Sequence, residues 1–367
     1  MAASESPSPE PLTAAGAHAA AAAWVEEVAR RQPGFRGAYL AGSLASAPSP
    51  APGERDAPWP PYSDVDIMVA SEGAGETTRG KFRYRGALLE ASRIPTQRLA
   101  QAESVLADYH LAHGLWEGSI LSDPDGLLTP LQEAVRARFC EARWVRRRAE
   151  QALQKADRGL AGVNAEASLA QGVLAWAFSA GVSAHVLLAS ALRNPTVRRR
   201  YAAARQVLAD YGHAALYPGL LAGLGCEGIA PAQASGHLAA LARAFDEAAA
   251  AARTPLPYSS DVTPLARPVA IEGSAAMIAA GDHREATFWI LVTSARCQQI
   301  LALDGTPAAR AAHTPAFRAL LTDLGIRSPE DLPRRAAQVR RWLPRLWAVA
   351  EEVLRANPHV QHGLAEG

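Results

Sequence analysis

The sequence predicts an α+β chain, with a small domain built on a mixed sheet followed by an all-helical domain. Three observations carry this. Short alternating apolar segments bounded by Gly and Pro crowd the stretch before residue 128. Long segments of helical periodicity fill the remainder. At 367 residues the chain also exceeds what one core usually spans, roughly 250–300 residues. Strands first and helices afterwards is the α+β arrangement.

In order, residues 1–14 open with the Ser/Pro-rich MAASESPSPEPL and read as a disordered tail. A helix is expected over Ala17–Arg31, ended by Pro33-Gly34. Phe35–Ala41 reads as a strand running into Gly42-Ser43. Pro48 to Pro61 is a proline-dense insertion, unsuited to helix or sheet interior. Val65–Val69 alternates as a strand does, and Lys81–Arg85 and Ala87–Ser92 are strands joined at Gly86. Ser119–Leu121 adds a short strand before the turn Asp123-Pro124-Asp125-Gly126. The sheet domain is thus placed at 15–128 and the helical domain at 129–367. Helices are expected over Thr129–Lys155, Ala165–Leu192, Thr196–Tyr211, Ala230–Ala252, Asp282–Leu303 and Pro329–Leu354.

Composition narrows the function classes. The net charge is +1, so no overall field points to nucleic acid or an anionic membrane. Lysine occurs only at Lys81 and Lys155 among 37 basic residues, so arginine clusters carry little weight. Arg146–Arg148 and Arg198–Arg200 fan out around their helices and read as solvated surface. Cys140, Cys226 and Cys297 lie far apart, which points to free thiols in the reducing cytoplasm. Ala14–Val25 follows acidic Glu5 and Glu10 rather than a cationic segment, so it is a poor signal peptide. Ala167–Leu192 lacks charge and could span a bilayer by length, but its serines, alanines, Gln171 and His185 suit the central helix of a bundle. Trp144, Trp176, Trp289 and Trp342 read as packing residues. His110 and His113 flank a loop with no zinc ligand set.

One ordered triple carries chemistry: a strand into Gly42-Ser43, a strand with Asp64-x-Asp66, and a strand with Glu90. Residues two apart on a strand share a face, so Asp64 and Asp66 project side by side and repel unless a cation lies between them. Magnesium, a hard ion that takes oxygen ligands, is the natural one. Glu90 sits in the apolar segment Leu88-Leu89-Glu90-Ala91, where a charge is costly unless paired or metal-bound. Asp108, Asp123 and Asp125 compete for its role. Gly42 allows close backbone approach to a phosphate, and the Ser43 hydroxyl can add a hydrogen bond. Asp282 and Glu285 have capping-box spacing at the start of an apolar helix, which leaves His283 and Arg284 as minor candidates for a phosphate or acceptor contact.

The order Leu40-Ala41-Gly42-Ser43, Tyr62-Ser63-Asp64-Val65-Asp66-Ile67 and Leu89-Glu90 resembles the DNA polymerase β-like nucleotidyltransferase superfamily. With a helical domain behind it, the chain looks most like the aminoglycoside nucleotidyltransferases. The motif match covers Phe35 to Ser92. The resemblance implies Gly42 and Ser43 on the phosphates, Asp64 and Asp66 on magnesium, and Glu90 as third carboxylate or base. It also implies two Mg2+ ions, ATP as donor, and a small hydroxyl-bearing acceptor rather than nucleic acid or a membrane. The gap between Ser43 and Asp64 is longer than the family's, and the Pro-rich insertion fills it. Two other readings stay open: a tRNA- or protein-modifying transferase of toxin–antitoxin type, and a nucleotide-binding regulatory module without turnover.

Overall fold

The computed structural model describes residues 12–45, 58–73 and 77–363. The start of the Ser/Pro-rich tail and most of the Pro-rich insertion lie outside the described residues. The strands are β1 Phe35–Ala41, β2 Val65–Ser71, β3 Thr77–Tyr84, β4 Ala87–Pro95 and β5 Ile120–Ser122. They form one mixed sheet in the order β3-β4-β2-β1-β5, in which only β2 and β4 run parallel. Arg85 and Gly86, both at positive φ (45° and 83°), make the two-residue turn from β3 to β4.

Alternation sorts the sheet's two faces. Ala38, Leu40, Val65, Ile67, Val69, Leu89 and Ala91 pack against α1 Ala14–Glu27, through its Ala17, Ala21, Trp24 and Val25. Thr13 caps that helix by accepting a hydrogen bond from the Gly16 N–H at 3.0 Å. Past the single turn α2 Gly42–Ala45, the chain returns at Pro58, which bridges to Thr13. The Trp59 N–H donates to the Leu12 carbonyl at 2.6 Å, and its indole N–H donates to the Ser63 carbonyl at 3.1 Å. The opposite face of the sheet carries Tyr39 into a second core with α3 Ala102–Ala107, α4 Tyr109–Glu117 and α5 Leu128–Arg138. Leu128, Leu131 and Val135 of α5 belong to that core, so the sheet packs one helix beyond its last strand.

The remaining helices are α6 Ala142–Ala161, α7 Leu169–Ser190, α8 Arg200–Asp210, α9 Tyr217–Leu224, α10 Pro231–Ala251, α11 Gly273–Ala279, α12 His283–Asp304, α13 Pro307–Asp323 and α14 Asp331–Ala356. They share one large core. Only α7 is long and apolar enough to cross a membrane among the described residues, and most of it is buried between α6, α8, α12 and α14.

Four expectations are corrected. The helix expected over Thr129–Lys155 breaks at Phe139–Glu141, where the Cys140 carbonyl accepts from the Gln361 N–H and the Ala142 N–H donates to the Gln361 carbonyl. The arginine triplets are not simply solvated: Arg148 and Arg200 are buried, 1% and 2% exposed. Arg148 donates to the carbonyls of Leu106 (3.1 Å) and Phe139 (2.6 Å) and stands over the Phe139 ring, closing the end of α5. Burial pushes its guanidinium down to about 9 and that of Arg200 to about 10. His110 and His113 lie on α4, capped by Asp108, and not beside a loop. Asp282 and Glu285 do not form a capping box; both accept from Arg205, and the Tyr217 hydroxyl donates to the buried Glu285 at 2.5 Å. Arginine's reach and fork outcompete the local cap there.

Arg148→Ala removes packing and strands two buried carbonyls, so it should destabilise the chain by about 2–4 kcal/mol. The midpoint of urea unfolding checks this, and a loss under about 0.5 kcal/mol would mean that water takes over both carbonyls.

Candidate active site

The strand register builds the site. Ala41 pairs with Asp66, Asp66 with Glu90, and Glu90 with Lys81. One row across four strands therefore ends β1 at Ala41, just before Gly42, and sets Asp66, Glu90 and Lys81 side by side. Asp64 enters one residue before β2. Oxygens of Asp64, Asp66 and Glu90 lie within 4.8 Å of one another, a cluster that could hold a metal ion. Gly42 is in the left-handed region (φ 67°), and a Cβ there would collide with the Asp66 carboxylate. Ser43 is exposed on the first turn of α2.

Lys81, which the sequence reading passed over, lies at the centre. Its Nζ is 2.9 Å from Asp64 Oδ2, 2.8 Å from Glu90 Oε2 and 3.2 Å from Asp261 Oδ1, with the side chain only 6% exposed. Asp261 comes from the helical domain, in the short turn Ser259–Asp261. Arg296 of α12 binds its other oxygen at 3.0 Å. The Arg296 guanidinium is itself boxed by Phe178, Tyr258 and Trp289, with ring centroids 5.3–5.4 Å away.

Two further helical-domain residues reach the site. Asn194 donates to the Gly42 carbonyl at 3.2 Å. Arg198 donates to the carbonyls of Tyr62 (3.2 Å) and Val269 (2.8 Å), and its charge attracts Asp64. Gly273 leaves room for that guanidinium, which any Cβ there would strike. No local signal marks Asn194, Arg198, Asp261 or Arg296 as site residues. Lys81 had one, as one of two lysines in an arginine-rich chain.

The electrostatics follow from crowding. Burial, then repulsion from Asp64 and Glu90, raises the Asp66 carboxyl well above its ordinary range, with Lys81 opposing. Burial also raises Glu90, again against the pull of Lys81. Burial alone would lower Lys81, but Asp64, Glu90 and Asp261 outweigh it and leave the ammonium firmly protonated.

The competing carboxylates have structural work elsewhere. Asp108 accepts from the N–H groups of His110 and Leu111, Asp123 from those of Leu128 and Thr129, and Asp125 pairs with Arg36 at 2.6 Å. The structure thus brings Gly42, Asp64, Asp66 and Glu90 together, with Ser43 next to them. It leaves His283 and Arg284 apart: they open α12, about 18 Å along the helix from Arg296, which does reach the site.

Gly42→Ala should cost roughly 1–2 kcal/mol through the left-handed backbone alone. It should also displace Asp66 and weaken Mn2+ binding at least about tenfold, read by calorimetry. Unchanged Mn2+ affinity would remove Asp66 from any metal site. Asp66→Asn should raise the melting temperature of the metal-free protein, because it relieves repulsion without changing volume. A fall would mean that the Asp66 charge supports the fold.

No protein-family model and no curated protein matches this chain. Among solved structures it is similar to a nucleotidyltransferase-like protein from Exiguobacterium sibiricum, at 12% identity and a TM-score of 0.29, over 84% of this chain and 91% of that one. A superposition that loose lends no residue a role, and the functional reading rests on the residues of this chain.

Proposed function

We propose that the chain is a divalent-metal-dependent nucleotidyltransferase, moving a nucleoside monophosphate, AMP from ATP, onto a hydroxyl of a small acceptor such as an aminoglycoside-like compound. The observation that carries this reading is the register pairing of Asp66 with Glu90, beside Asp64 and against Gly42. A glycine turn for phosphates adjoins three carboxylates that repel one another until a cation joins them. Magnesium bound there would screen the phosphates and the leaving pyrophosphate.

Asp64 and Asp66 would hold the metal. Glu90, its carboxyl raised by burial, suits proton transfer: one oxygen is taken by Lys81, and the other can accept the proton of the acceptor hydroxyl. The freed oxygen attacks the α-phosphorus, the bond to the β-phosphate oxygen breaks, and pyrophosphate leaves. Gly42 and Ser43 would hold the phosphates through backbone N–H groups and the Ser43 hydroxyl. Asn194, bonded to the Gly42 carbonyl, fixes the plane of that peptide.

The arginine runs do not favour a nucleic-acid acceptor. Arg148 and Arg200 are buried, Arg198 is turned into the site, and Arg146 pairs with Glu351 at 2.5 Å. The acceptor assignment comes from the family resemblance of the motif.

The test is magnesium-dependent pyrophosphate release from each nucleoside triphosphate against aminoglycosides, other hydroxylated metabolites, tRNA and protein. Transfer to a small acceptor is expected, abolished in Asp66→Asn and reduced at least about 10²-fold in Glu90→Gln. Transfer to tRNA or protein alone would replace the acceptor class. Tight nucleotide binding with no pyrophosphate from any acceptor would replace the enzyme with a regulatory module.

A further inference from the structure

We infer that Lys81 is a built-in cation of this site, taking the position of a second metal ion, so that one divalent ion and not two completes it. The inference rests on the nucleotidyltransferase reading and deepens it. Four carboxylates converge here: Asp64, Asp66, Glu90 and Asp261. Two of them, Asp64 and Glu90, are already joined by the Lys81 ammonium at 2.9 and 2.8 Å, so these oxygens are engaged before any second ion could use them.

The residue type is telling. Lysine occurs only twice among 37 basic residues, and one of the two stands in this cluster. A guanidinium is a broad planar fork, whereas an ammonium is a compact point charge with donors that can meet three separate carboxylates, as a small ion would. The tether is also firm. Lys81 lies inside the β3 ladder opposite Glu90, and neighbouring Gly80 accommodates the Ser260 side chain from the turn that supplies Asp261.

Four carboxylates face Lys81 and Arg296, with Arg198 beside Asp64, so the resident cations neutralise only part of the cluster and leave a place for a divalent ion. Asp66 makes no ion pair with Lys81 among the described residues, so a divalent ion would be held on its side of the cluster, with the oxygens of Asp64 and Glu90 that Lys81 does not take. In the reaction Lys81 would stabilise negative charge on the attacking oxygen next to Glu90, and no bond to it forms or breaks.

The measurement is Mn2+ loading of the full chain with the α,β-methylene analogue of ATP, followed by electron paramagnetic resonance and metal analysis. Wild type should hold one Mn2+ per chain beyond that bound by free nucleotide, with the six-line spectrum of an isolated ion. Lys81→Met should hold two, with the exchange-coupled spectrum of neighbouring ions. Asp66→Asn should hold none. A coupled pair in wild type would overturn the inference and leave the transferase reading intact, as would a single ion in both wild type and Lys81→Met. No Mn2+ in any form would overturn the metal-dependent reading and this inference with it. If Lys81→Met does not fold, the wild-type count still decides between one ion and two.

Discussion

Repulsion among carboxylates governs the centre of this molecule. Asp64, Asp66 and Glu90 are forced together by strand pairing, and Asp261 is brought to them by the packing of the helical domain. Isolated charges so close and so dry would be expensive. The fold answers with Lys81 between Asp64, Glu90 and Asp261 and with Arg296 behind Asp261, both nearly buried. Because Lys81 belongs to the sheet and Asp261 to the helices, the same ion pairs that relieve the site also join the domains. The packing of the helices on the sheet and the site electrostatics are therefore one problem with one solution.

This arrangement leaves Asp66 least served. It has no ion-pair partner among the described residues, its neighbours repel it, and Gly42 presses close. A local conflict of this kind, inside a sheet whose alternation and packing are otherwise consistent, is where functional or strained sites are expected. The surroundings support that contrast. Beneath the same strands, Val65, Ile67 and Leu89 are fully buried against α1.

Much of this was legible in the chain. Short segments bounded by Gly and Pro located β1, β2 and β4, with period-two alternation at β2, and the α+β order followed from where long helical stretches took over. The Gly-Ser, Asp-x-Asp and Glu segments could be named from their order, spacing and flanking apolar residues together, and strand pairing brings them to one place. What stayed hidden depends on distance in space. Asp261 sits in a three-residue turn with no pattern of its own, and Arg296 looks like an interruption in an apolar helix until its aromatic box is seen. The arginine triplets misled for the opposite reason. Only Arg200 lies on a helix, with Arg198 and Arg199 in the turn that leads into α8, so one side chain reaches the site, one faces solvent and one is core. The break between α5 and α6 depends on Gln361, more than 200 residues away, which no local window contains.

The return of the chain at Pro58 has a consequence for how the protein can vary. Thr13 and Leu12 hold Pro58 and Trp59, and Trp59 in turn holds Ser63, so the approach to Asp64 is fixed from outside the connection that precedes it. The position of Asp64 thus does not hang on the number of residues between Ala45 and Pro58, since extra length in a connection adds little closure entropy. A foreign peptide or a fluorescent label inserted between these two anchors should therefore leave Asp64, Asp66 and Glu90 in register.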